Sequence, residues 1–293
     1  MSTLKLLVAW STLMSVLLGA AGADYFTDRQ AAAALLQAGK PAEAMERFLA
    51  MASADVGAER RSDALTQAVH CGMAVKQWDR AADLAKQIPL EHPSKLAQMM
   101  VLHAHANRRF PELLDRFAGE DLSRWPEHVA AQAWLMRGQA AASEGKHFKL
   151  AVTDLTMALR FPMDTRTRAQ TLNLLAGVHV RLGQEDEAIA LYEQVCAMTD
   201  PYRAANAAIS LANILAARGE HARVVTVIQA IPLDKISPGS IRTGLLPAMG
   251  DALAAAGDRE GAIARYRQAI AEHGDSGQYK AACEAKISAL RAK

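Results

Sequence analysis

Aromatic residues make up only 5% of this 293-residue chain, and it has three cysteines. With so few rings, and alanine filling much of a 51% hydrophobic share, the composition suits closely packed helices. Cys71, Cys196 and Cys283 are an odd number with no close pairing, so no disulfide framework is implied. A chain of this length buries enough core without one, and all three read as small packing residues. Convincing strands are also missing: a run such as Val224-Val225-Thr226-Val227-Ile228 is short and sits inside a helical period. Nor does one sign of charge dominate. A net charge of +2 gives no general pull on nucleic acid or anionic lipid. The basic pairs Arg60-Arg61 and Arg108-Arg109 fall at predicted helix ends or turns, where solvated charge is ordinary.

Motifs for chemistry are missing as well. There is no H-E-x-x-H, C-x-x-C, G-x-x-x-x-G-K or G-x-S-x-G. His103 and His105 stand two apart, which sends them to different sides of a helix and rules against a shared metal. Ser143-Glu144-Gly145-Lys146 matches S-x-x-K by letter only, on a predicted turn and without its companion motifs. Carboxylates scatter through turns and outer faces, with no pair set for acid–base work. The expectation is a protein that is not an enzyme, with no catalytic, cofactor-binding or metal residues.

The longest apolar stretch is at the N-terminus. Leu6–Leu18 is a run of 13 residues, preceded by Lys5 and followed by Gly19-Ala20-Ala21-Gly22-Ala23. Small residues at Ala21 and Ala23 give the A-x-A pattern of a secretory signal, with cleavage expected after Ala23. The run is short for a membrane span of roughly 20 residues. An uncleaved anchor is the alternative. Cleavage removes one lysine and no acid, which takes the net charge to +1. The expected place of the protein is outside the cytoplasm, in a bacterial periplasm or secreted.

What the chain does have is a period. Ala44, Ala81, Leu113, Ala151, Ala188, Val224 and Ala262 each follow a polar or helix-breaking turn by about five residues, at spacings of 37, 32, 38, 37, 36 and 38. A fixed period of about 20–50 residues signals stacked repeats, each too small to bury its own face. The seventh repeat is the clearest. Leu246, Met249, Gly250 and Leu253 form one helical stripe, Gly257-Asp258 stops it, and Ala262, Tyr266 and Ala269 form a second. Prolines Pro89, Pro93, Pro126, Pro162, Pro201, Pro232 and Pro238 fall between repeats, while Pro41 and Pro111 fall at second-helix starts. Pro247 is the exception, inside a predicted first helix that must start late or kink. Tyr279, Ala282, Ile287 and Leu290 form the apolar face of a final helix, with Lys280, Glu284, Lys286 and Arg291 outside. The third repeat fits least well, because Glu120 stands where an apolar residue is due. A kink or a specialised contact is therefore expected between repeats three and four.

This arrangement resembles the tetratricopeptide repeat family: a bulky residue, then leucine with glycine or alanine, a turn glycine, then alternating aromatic and alanine. The resemblance covers roughly 25–290 and is most specific in repeats four, five and seven. It implies an all-α fold, a right-handed α-solenoid of about seven antiparallel helix pairs plus a C-terminal capping helix. The expected organisation is a signal peptide over 1–23 and one repeat domain over 24–293. Repeats lie near 25–55, 62–90, 94–122, 131–163, 169–201, 205–235 and 243–274, with the cap at 276–291.

The resemblance also implies a binding wall on the concave side, lined by the first helix of each repeat. Carried onto this sequence, its positions include Gln98, His105, Gln132, Gln139, Asn173, Arg181, Asn206, Asn213 and Asp251. Amides both donate and accept, so a row of them can pin the backbone of an extended peptide. The plainer alternative is that they are ordinary exposed helix residues. Lys95 stands alone among the positions where family members carry paired lysine and asparagine to grip C-terminal carboxylates, so carboxylate-clamp activity is not expected. The function expected is a protein–protein interaction scaffold of the cell envelope that binds a protein or peptide. A membrane-tethered form of the same scaffold is the alternative. RNA binding ranks lower, since it needs a basic groove.

Overall fold

The computed structural model describes residues 23–54, 56–89, 95–105, 108–237, 240–273 and 277–292. The apolar N-terminal run and most of the expected signal lie outside the described residues. Among the described residues there is no strand. The helices are α1 Ala23–Gln37, α2 Pro41–Ser53, α3 Ala58–Ala74, α4 Trp78–Ala85, α5 Lys95–Ala104, α6 Phe110–Arg116, α7 Glu127–Glu144, α8 Phe148–Ala158, α9 Thr165–Arg181, α10 Glu185–Cys196, α11 Pro201–Ala217, α12 His221–Gln229, α13 Ser240–Ala255, α14 Arg259–His273 and α15 Gly277–Arg291. None of them is long and apolar enough to cross a membrane.

The chain divides into two compact units, one up to Leu113 and one from Leu114. In the first, α1 packs on α2, α2 on α3 and α3 on α4, and α5 meets both α3 and α4. In the second, each helix from α7 to α15 packs on the next. First helices of successive pairs also touch there, α7 with α9, α9 with α11 and α11 with α13. This is the stacked helix-pair fold that the period predicts. All seven period-marking residues, Ala44 through Ala262, are buried.

Turn chemistry explains why the helices pair. A tight reversal between two helices needs one residue in the left-handed region, which glycine adopts without a Cβ penalty. Gly39, Gly145, Gly183, Gly219 and Gly257 take that role with φ of 70–89°. The turn closes with the same bond in several repeats. The residue after the left-handed one donates back to the helix, as in Gln184 N to His179 O at 2.9 Å and Glu220 N to Leu215 O at 2.8 Å. In repeats two and three the left-handed residues are Lys76 and Arg108. Gln77 N still donates to Gly72 O at 2.8 Å, so the turn survives without its glycine. Two first helices start on side-chain acceptors. Asp164 caps α9 through Thr167 N, and Asp200 caps α11 through Tyr202 N and Arg203 N, with Pro201 next.

Helix α13 runs through Pro247 from Ser240, so it does not start late. A proline has no N–H, which leaves the carbonyl of Thr243, four residues back, without its helical donor. Tyr279 Oη of the last helix donates to that carbonyl at 2.9 Å. The same helix is held by Lys286 Nζ, 2.7 Å from both oxygens of Asp251. Its buried face differs in one position from the sequence reading: Ala282 is exposed and Cys283 is buried. Burial raises the thiol of Cys283, and pushes those of Cys71 and Cys196 up to about 12 and about 11.

The specialised contact expected after Glu120 exists in the second unit. Arg137 on α7 donates from Nε and Nη2 to Asp154 Oδ2 and Oδ1 on α8, at 2.7 and 3.0 Å. Its Nη1 donates to the carbonyls of Phe117 and Glu120, at 3.0 and 2.9 Å. Arg137 and Asp154 are both buried. Glu120 itself accepts from Trp125 Nε1 at 2.9 Å, which is why a carboxylate is tolerated there.

In the first unit, His70 on α3 has an enclosed Nδ1 with no hydrogen-bond partner. Burial lowers its pKa from 6.5 to about 4. The folded form therefore takes up its proton at lower pH than the unfolded chain. Stability from this residue is full above pH 6.5 and is lost as pH falls towards 4, by about 3 kcal/mol in all. Urea titrations across this window are expected to show that slope in wild type and a flatter one in His70→Leu. Equal slopes would contradict the assignment.

Candidate functional site

The nine predicted wall residues do not share one environment. Gln98 and His105, in the first compact unit, are buried and so correct the expectation of an open wall there. Gln98 Nε2 donates to the carbonyl of Ile88, an acceptor left over just past the end of α4. His105 Nε2 lies 3.0 Å from Asp79 Oδ1 in the first turn of α4, with its ring 6.3 Å from that of Trp78. Gln98 is committed to the C-terminal end of α4 and His105 to its first turn.

The other seven lie on the row of first helices in the second unit. Gln132 and Gln139 are on α7, Asn173 and Arg181 on α9, Asn206 and Asn213 on α11, and Asp251 on α13. Gln132, Arg181, Asn206, Asn213 and Asp251 are exposed, while Gln139 and Asn173 are half-buried. The pairs 132/139 and 206/213 are seven apart, two turns along one helix face. Since α7, α9, α11 and α13 touch in sequence, these residues occupy neighbouring columns.

The electrostatics of the row are close to neutral. Asp251 accepts from Tyr266 Oη at 2.6 Å as well as from Lys286. That carboxylate is neutralised and turned towards the last helix. Burial and then Asp251 hold the Tyr266 phenol above its ordinary pKa. The remaining polar groups are amides and Arg181, which has no ionic partner among the described residues. The side-chain oxygen of Asn173 is enclosed and accepts no hydrogen bond. An acceptor left that way costs about 1–3 kcal/mol.

Several residues of this face escaped the sequence reading. Val180, 40% exposed, lies seven residues after Asn173 on α9. Gly177 lies between them, and a Cβ there would meet nothing nearer than Tyr192 Oη at 3.9 Å. Tyr202, 41% exposed, stands one turn before Asn206 and accepts from Ser237 N through its Oη at 3.0 Å. Half-buried Leu135 and Ile209 stand three residues after Gln132 and Asn206. Counting three, four and seven residues from each amide would have found them. Among the described residues no group of three His, Cys, Asp or Glu could hold a metal ion. A separate groove in the first unit, lined by Leu35, Ala50 and Met51 with Asp28, Glu43 and Arg47, has its Asp28 already paired with Arg47 at 3.0 Å.

Residues 171–202, which span most of α9 and all of α10, match the tetratricopeptide repeat family model. No curated protein matches the sequence. The fold is similar to a tetratricopeptide repeat protein from Parabacteroides merdae, with 13% identity and a TM-score of 0.53, covering 91% of this chain and 98% of that one. It is also similar to the C-terminal part of a TPR repeat-containing protein from Cytophaga hutchinsonii, with 11% identity and a TM-score of 0.61, covering 86% and 97%. The apo quorum sensor NprR from B. thuringiensis has 14% identity and a TM-score of 0.52, with 93% and 81% covered.

Proposed function

We propose that this tetratricopeptide repeat chain is a non-catalytic scaffold of the cell envelope, which holds an extended peptide or protein segment against the first helices α7, α9, α11 and α13. The observation that carries this reading is the row of amides Gln132, Gln139, Asn173, Asn206 and Asn213 in adjacent columns, broken by exposed apolar Val180. An extended chain offers an N–H and a C=O at every residue, and an amide side chain answers either. The envelope assignment rests on the signal-like sequence over 1–23. A retained N-terminal segment would make the same scaffold membrane-tethered, and N-terminal sequencing of the mature protein separates the two: a start at Asp24 excludes the tether.

A photocrosslinker at Val180 is expected to capture a protein or peptide from envelope extract, and one at Glu187, on the second helix of the same pair, is not. The triple substitution Asn173→Ala, Asn206→Ala and Asn213→Ala should cut capture at least tenfold while leaving the helical circular dichroism unchanged. Two or three lost hydrogen bonds at about 1 kcal/mol each give that factor. Undiminished capture by the triple variant, or equal capture at both positions, would reject the proposal.

A further inference from the structure

We infer that the face of α13 and α14 beneath the last helix is a helix-docking site, that it opens while the rest of the unit stays folded, and that it accepts α15 of a second copy of this chain in place of its own. This surface is separate from the amide row and owes nothing to the peptide-binding reading.

The hold on α15 is thin. It places two side chains in the core, Cys283 and Ile287, against seven from α11. A helix held by so few apolar contacts belongs to the low-stability end of a fold. The site beneath does not depend on it. Leu245, Met249 and Ala252 anchor one face of α13 in the larger core, and α13 packs on both α11 and α12. Leu246, Ala262, Tyr266 and Ala269 form a separate cluster with Cys283 and Ile287. Lifting α15 therefore uncovers an apolar surface on a helix pair that stays anchored.

The site also specifies what it takes. Pro247 deprives the Thr243 carbonyl of its helical donor, and Tyr279 Oη of α15 donates there at 2.9 Å. Two turns further along α13, the Asp251 carboxylate accepts from Tyr266 Oη at 2.6 Å and takes Lys286 Nζ at 2.7 Å. Tyr279, Cys283, Lys286 and Ile287 share one face of α15 at helical spacing. A second copy carries that same face, and it is the occupant whose fit is seen. Two copies that exchange α15 keep every one of these contacts, so the exchange costs only association. The tethered helix competes at an effective concentration in the millimolar range. Wild type is therefore expected to be chiefly monomeric at micromolar concentration, with an α15 that opens and recloses.

The test is hydrogen exchange of the full chain, read by mass spectrometry. In wild type the amides of α15 should exchange at least tenfold faster than those of α14. Asp251→Lys and Lys286→Asp each set like charges against one another and should speed α15 by about a further tenfold, leaving α14 protected. Mixed in equal amounts, the two variants should form a heterodimer, seen by sedimentation, in which α15 slows again at least tenfold. The ammonium placed by Asp251→Lys in one copy then lies against the carboxylate placed by Lys286→Asp in the other, and the return crossing restores the native pair. Equal exchange of α15 and α14 in wild type overturns the inference. So does loss of α14 protection in the single variants, because the site would then depend on the helix that covers it. A mixture in which α15 exchanges as fast as in the separate variants, dimeric or not, overturns it as well.

Discussion

Replacing Arg137 by methionine is expected to destabilise the second compact unit by about 3–5 kcal/mol. The arginine donates to both oxygens of a buried carboxylate and to two carbonyls, and methionine donates to none. Asp154 would then be a buried charge with no partner. Burial already lifts its pKa above the ordinary value, with Arg137 pulling the other way. Without the guanidinium the lift must grow, and the folded state would hold a proton that the unfolded chain releases. That makes the variant more stable as pH falls from 7 towards the unfolded pKa, a slope that a simple packing defect does not give. Asp154→Leu in the same background removes the orphaned charge and should restore much of the loss. It cannot restore all of it, because the carbonyls of Phe117 and Glu120 still lack their donor, at about 1–3 kcal/mol for such groups. The measurement is urea unfolding of both variants at pH 5 and pH 7. A loss under about 1 kcal/mol in Arg137→Met would mean that the network contributes little.

This network shows what a single sequence can and cannot disclose. The period was legible because one small or aliphatic residue per repeat recurs at a fixed place on the second helix, and all seven such residues are buried. Glu120 was legible as an anomaly, yet its cause was not. Arg137 and Asp154 lie 17 residues apart on different helices, and nothing in linear spacing says that their heads meet. Repeats two and three depart from the turn-glycine pattern: their turns place Lys76 and Arg108 in the left-handed conformation that glycine holds elsewhere. The wall residues divide the same way. Register alone put Gln98 and His105 beside Gln132 and Asn206, but register does not reveal that Ile88 and Asp79 wait to be paired with the first two. In the second unit the exposed amides follow from helical spacing, whereas the unpartnered oxygen of Asn173 is visible only in three dimensions.

The closest helix crossings give the other large effect. A Cβ at Gly138 would lie 2.9 Å from Leu155 Cγ and Cδ2, and 3.1 Å from the Leu155 backbone nitrogen. The side chain could turn aside, but the backbone nitrogen cannot, so α7 and α8 must separate. Gly138→Val is therefore expected to cost about 3 kcal/mol or more, at the upper end for overpacked cores. Gly138→Ala should cost less, near 1 kcal/mol, because alanine recovers roughly 1 kcal/mol of helix propensity over glycine. The comparison with Gly250 separates sterics from backbone. A Cβ there would meet only the ring of Tyr266, at 2.7–3.0 Å, and no backbone atom among its nearest neighbours. Gly250→Ala can be absorbed by tilting that ring, at the expense of its bond to Asp251. Gly72 faces Ala81 Cβ at 3.1 Å, which gives a crossing closed by two small residues. The partners of the three glycines are a leucine, a tyrosine and an alanine. Thermal unfolding should rank the alanine variants at 138 above 250 in cost. A double-mutant cycle of Gly138→Val with Leu155→Ala should return a favourable coupling but leave much of the loss, since the second change removes the leucine carbons that the first one strikes and not the backbone nitrogen. Full recovery in that cycle would show that the leucine side chain alone, and not the backbone nitrogen, limits how close α7 and α8 approach.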